Sequence, residues 1–173
     1  LQKTPPNAVE IADILLAAGA DADATFQDGK SGSTPLVMLV TSGHPHDARL
    51  GGALVEAFVR GGASVDGLDG DGLPLSFALG FGYTDSAEAL VRCGATVSGI
   101  QAYAGVGRAE PLEATLREGD HDAKALVNAL HRASKHGREA CVLLLLDHGA
   151  DMLAAGWQNN TALHFAAEYG HAS

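Results

Sequence analysis

The sequence predicts an all-α fold built by repetition, and three observations lead there. A leucine-rich stretch closed by a glycine recurs along the chain. Its clearest form is LLLLDHGAD at residues 143–151, where leucines end a helix and Gly149 stops it. Only glycine enters the left-handed C-cap conformation without steric penalty. Weaker copies stand at residues 15–21 (LLAAGAD), 58–64 (FVRGGAS), 90–96 (LVRCGAT) and 116–120 (LREGD). The closing glycines Gly19, Gly62, Gly94, Gly119 and Gly149 are 43, 32, 25 and 30 residues apart, which scatters around a repeat of roughly 33. The second observation is a marker out of phase with the first. Thr34-Pro35-Leu36, Leu73-Pro74-Leu75, NALH at 128–131 and TALH at 161–164 each open an apolar helix, closed by Gly43, Gly82, Gly137 and Gly170. The third is composition. With 5 % aromatic residues and 22 glycines, the chain suits thin helices packed in layers better than one large globular core.

Residues 159–171, NNTALHFAAEYGH, together with the preceding HGAD, carry a resemblance to the ankyrin repeat family. Its unit is a turn plus two antiparallel helices. The resemblance extends over essentially the whole chain and is most specific in the last third. It implies a solenoid of stacked antiparallel helix pairs with hairpin-like turns, here about five units in one domain spanning residues 1–173. The first and last units are incomplete, as in a fragment of a longer array.

The elements follow in order. Residues 8–17 carry Val9, Ile11, Ile14, Leu15 and Leu16 and fit a second helix of a unit; Thr4-Pro5-Pro6 delays its start to about Asn7. Residues 21–33 form a long hairpin, with Gly29 and Gly32 at its tip. The helix over 35–41 begins with proline at its first position, where the missing N–H costs nothing. Residues 42–50 (SGHPHDARL) insert about seven residues beyond the family spacing, predicting a bulge at the helix–helix turn. The partner helix is 51–60. Helices over 74–81 and 86–92 make the third unit. The fourth is compressed to 100–106 and 109–117, with Pro111 in the first turn of the latter. In the fifth, Asp122 offers an N-cap for a helix through His136, and 139–148 pairs with it. The sixth opens at Thr161.

Charge and cysteines narrow the function. The net charge of −10 argues against nucleic-acid binding, which needs clustered Lys and Arg. No segment reaches 18 continuous apolar residues, so no membrane helix is expected. Cys93 and Cys141 lack a pairing pattern and read as buried free thiols of a reducing, cytoplasmic setting. No signal peptide is visible, although the chain starts at Leu1 without methionine.

Candidate chemistry is weak. His44-Pro45-His46-Asp47 is half of a metal site, but zinc needs three or four rigid ligands and no partner motif is in reach. No metal and no cofactor are expected. His131 and His164 hold equivalent places in two units; the family resemblance implies a hydrogen bond to backbone between neighbouring repeats. Cys141 faces core by its spacing from Leu144 and Leu145, away from any base or oxyanion donor. Gly105-Val106-Gly107 is too short to cradle a phosphate. Asp66, Asp69 and Asp71 lack the ligand order of a calcium loop and read as hairpin-tip residues. No enzyme is expected.

The resemblance implies a monomeric, non-catalytic scaffold that binds another protein or peptide on a concave surface. Two alternatives stay open: the targeting arm of an enzyme whose catalytic domain lies elsewhere, and a structural spacer. Family geometry points residues five, two and one before each first-helix glycine into the groove. These are Met38, Thr41 and Ser42; Phe77, Gly80 and Phe81; Ala102, Gly105 and Val106; Arg132, Lys135 and His136; and Phe165, Glu168 and Tyr169. The partner-binding set drawn from them is Met38, Thr41, Phe77, Phe81, Val106, Arg132, Lys135, His136, Phe165 and Tyr169. Trp157 joins it as an isolated anchor at a hairpin tip. The matching ligand is a peptide with apolar residues and an acidic group for Arg132 and Lys135. The alternative for Phe77 and Phe81 is that they turn into the next layer as core.

Overall fold

The structure is a computed structural model describing residues 5–26, 34–119 and 121–170, with only the backbone of Trp157. The proposed hairpin tip at Gly29 and Gly32 lies outside the described residues. Among those described, every regular element is helical and there is no strand. Where the sequence suggests one repeat array, the chain divides into two compact units, Leu1–Thr96 and Val97–Ser173.

The first unit contains α1 (Ala8–Ala17), α2 (Pro35–Thr41), α3 (Gly43–Asp47), α4 (Gly51–Arg60), α5 (Leu73–Phe81) and α6 (Thr84–Arg92). They pack in two rows. α1 stacks on α4 and α4 on α6, while α2 stacks on α5. The rows are joined by α2 against α4 and α5 against α6. Leucines and valines fill the space between rows, with Leu36, Val40, Val55, Leu79 and Leu90 all but inaccessible. Small residues set how closely the helices approach. A β-carbon on Gly61 would stand 2.6 Å from a Leu16 methyl, and one on Gly51 would collide with the Ser86 hydroxyl.

Two ladders repeat along this unit. At the turns, Asp23 accepts from Ser64 N (2.9 Å) and from the Ser64 hydroxyl. One unit on, Asp66 accepts from Thr96 N (2.8 Å) and Thr96 Oγ1 (2.7 Å). On the stacked helices, Arg60 pairs with Asp13 (2.6 Å) and Arg92 with Glu56 (2.7 Å). In both pairs the acid stands six residues before its closing glycine and the arginine two before the next. Asp21, Asp71 and Asp151 each accept from the N–H two residues on, at 3.0, 3.0 and 2.8 Å; this local turn is what Asp favours in a tip. Of the aspartates read as tip residues, Asp71 acts within its own turn, whereas Asp66 reaches the next one.

The second unit contains α7 (Gly99–Val106), α8 (Ala109–Glu118), α9 (Ala123–Lys135), α10 (Glu139–Asp147) and α11 (Ala162–Glu168), with a 3-10 turn at Trp157–Asn159. α7, α9 and α11 form one row and α8 and α10 the other. Leu112, Leu130, Cys141 and Leu145 form its centre with Ala104 and Ala129.

Most helix limits lie within two residues of the expected ones, with three differences. Gly43 does not close α2; it opens α3, so the insertion is a one-turn helix packed on α4 and not an irregular bulge. Gly119 follows α8 in an extended conformation (φ −147), unlike Gly19, Gly62, Gly94 and Gly149, which are left-handed. Asp122 stands at the N-cap of α9 but makes no side-chain cap bond.

Candidate protein-interaction surface

In the first unit, Met38 and Phe77 occupy equivalent places on α2 and α5. Neighbours Val37, Leu39 and Val40 are buried, whereas Met38 is 52 % exposed. Phe77 is half-buried, and Phe81, one turn on, is 44 % exposed. Their ring centroids are 6.5 Å apart. Phe81 stacks on Tyr83 at 5.7 Å, and Tyr83 stacks on His46 at 4.5 Å. An aromatic run therefore leads from α5 over the α5–α6 turn to α3. Burial, and after it the nearby Asp47 carboxylate, raises the Tyr83 phenol above its ordinary value, so it remains a neutral donor. Thr41, half-buried, spends its hydroxyl on its own helix, donating to Val37 O at 2.9 Å. His46 and Tyr83 were not anticipated in this surface. Nothing in HPHD signals a helix, and only the folded turn brings the two rings together.

In the second unit, Val106 is half-buried at the end of α7. Arg138 closes over the adjacent glycines: its Nε donates to Gly105 O at 3.2 Å, and its side chain lies against Gly107. Arg132 and Lys135 are half-buried on α9. Burial pulls both below their ordinary pKa values; for Lys135, Glu168 opposes this and Arg132 adds to it. Lys135 Nζ stands 4.5 Å from the Phe165 ring centre and 5.8 Å from that of half-buried Tyr169.

Two expected groove residues are core instead. Phe165 is 3 % exposed, held edge-on by His131 at 5.1 Å and covered by Lys135. His136 is 2 % exposed, because α9 ends at Lys135 and the chain turns inward before left-handed Gly137. Trp157 opens a turn whose Gln158 and Asn159 have positive φ of 56 and 62; its side chain lies outside the described residues.

The two equivalent histidines differ. His131 is buried and its Nε2–H donates to Ala154 O at 3.2 Å in the following hairpin. Gly156 is required beside it, since a β-carbon there would approach His131 Nδ1 to 2.7 Å. Burial depresses the imidazole pKa, as Lys135 does in smaller measure, while the Ala154 bond opposes them. His164 is exposed and caps its own helix, accepting from Thr161 N at 3.3 Å. Among the described residues no group of three or more His, Cys, Asp or Glu side chains is placed to hold a metal ion, and no helix is long and apolar enough to cross a membrane.

Rows of paired helices with left-handed glycines at their ends, and polar ladders linking successive turns, define a helical-repeat protein. Residues 102–173 match the family model described as ankyrin repeats in three copies. That match lies within the second unit; the all-helical fold is consistent with an ankyrin-repeat solenoid, and α2 to α6 repeat a similar two-helix register upstream. No curated protein matches the chain significantly.

Proposed function

We propose that the chain is a non-catalytic scaffold that binds a partner protein through the exposed first-row helices. Ankyrin repeats are in general protein–protein interaction modules, and such domains are typically non-catalytic. The observation that carries the reading is the exposure of Met38 and Phe81. Phe81 belongs to a run of rings with Phe77, Tyr83 and His46, in a chain that is only 5 % aromatic. Large apolar side chains held in water by a rigid scaffold mark interaction sites. The second unit by itself carries Arg132 and Lys135 on α9, positive charge that suits an acidic ligand group. The free thiols Cys93 and Cys141 fit a reducing cytoplasmic setting.

The test starts from a displayed peptide library selected against the purified chain. Selected peptides should carry apolar residues, and Phe81→Ser should weaken them at least about tenfold, the loss expected of a hot-spot residue. Because Phe81 is exposed, its replacement should shift the unfolding midpoint by only about 2–4 °C. Selected peptides that bind Phe81→Ser as tightly as the parent chain would move the site elsewhere.

A further inference from the structure

Building on the binding role proposed for Phe81, we infer that the Phe77–Phe81 pair of the first unit takes a lysine or arginine side chain from the partner, whose docking segment is a basic peptide. The second unit already contains the arrangement. There Phe165 and Tyr169 stand five and one residues before Gly170. Lys135, the last residue of the preceding first-row helix α9, reaches over both rings, with Nζ 4.5 Å from one centre and 5.8 Å from the other. Ring faces carry partial negative charge, so a cation held above them is attracted. Phe165 is buried beneath this cover.

The first unit repeats the rings with a threonine in the lysine's place. Phe77 and Phe81 stand five and one residues before Gly82, and α2 is the first-row helix packed against α5 from the preceding repeat. The last residue of α2 is Thr41, two before Gly43 as Lys135 is two before Gly137. Its hydroxyl turns back on its own helix, donating to Val37 O at 2.9 Å and lying 3.2 Å from Met38 O. It brings no charge to the rings, and Phe81 is exposed where Phe165 is buried. Electrostatics favour a basic occupant. Acids outnumber bases by more than two to one in residues 1–96, and Arg60 and Arg92 are already paired with Asp13 and Glu56. Beside the rings, the exposed Asp47 of α3 acts on the phenol of Tyr83, which stacks on Phe81. The field of the unit steers a basic peptide towards it, and the rings with Asp47 receive its ammonium or guanidinium group.

Peptides selected on the whole chain from an unbiased displayed library, and weakened by Phe81→Ser, should be enriched in Lys and Arg. Their affinity should fall with added salt. Thr41→Lys supplies a cation from within, as Lys135 does, and should weaken these peptides roughly tenfold. Its unfolding midpoint should be no lower than the parent's. Thr41→Gln, long but uncharged, should keep most of the binding, which separates charge from bulk. Asp47→Lys, on exposed α3, should also weaken them. Phe81-dependent peptides without a basic residue overturn the inference while leaving the surface in place. So does an affinity unchanged in both Thr41→Lys and Asp47→Lys. If no selected peptide depends on Phe81, the binding role of that residue falls, and the basic ligand with it.

Discussion

At the scale of single residues, the neutral state of His131 is built into the second unit. Its folded pKa lies below the ordinary value, so the unfolded chain binds the extra proton first. The stability it contributes is whole above about pH 6.5, the unfolded value, and drains away as pH falls towards the folded one. Thermal midpoints measured against pH should fall below that point, and His131→Gln should flatten the fall. Gly156→Ala should cost about 1–3 kcal/mol, the usual penalty of overpacking, because the added methyl meets the imidazole ring. The thiols offer a second check. Cys141 is fully buried and Cys93 half-buried, and burial raises both pKa values. Native protein should be alkylated slowly at Cys93 alone, with Cys141 reacting only on unfolding. Rapid labelling of Cys141 in the folded chain would contradict the packing of α10.

Between elements, the turn ladder is worth more than the ion-pair ladder. Asp23→Ala leaves the part-buried Ser64 N–H without its acceptor, a loss of about 1–3 kcal/mol. Arg60→Ala and Arg92→Ala remove exposed pairs and should cost at most about 1 kcal/mol each, less in high salt. Denaturant titrations of the three variants rank the ladders directly. Glycine-closed helices were readable from sequence because the left-handed turn at Gly19, Gly62, Gly94 and Gly149 excludes side chains; Gly119 shows that the residue permits the turn without imposing it. α3 was not readable, since five residues carry no helical period. The surface was readable in part. Met38, Phe77 and Phe165 share one register position, yet range from 52 % exposed to 3 %. What decides between them is the neighbouring helix: α9 brings His131 and Lys135 onto Phe165, and a positional rule cannot see that.

Across the whole molecule, each compact unit carries its own core, and the main cluster of the second runs from Ile100 to Ala150, with Phe165 buried besides. Residues 97–173 expressed alone should therefore be helical by far-UV circular dichroism and melt cooperatively; a non-cooperative trace would show the unit depends on the rest of the chain. The ion-pair rungs have a consequence for how such arrays change by gene duplication. Acid and arginine keep the same two places on successive helices, six and two residues before the closing glycines. Exchange α4 and α6 and Asp13 would face Arg92, while Glu88, which stands where Glu56 does, would face Arg60. The rungs of the first unit are thus interchangeable, and a duplicated or reordered module meets a counter-charge already in place.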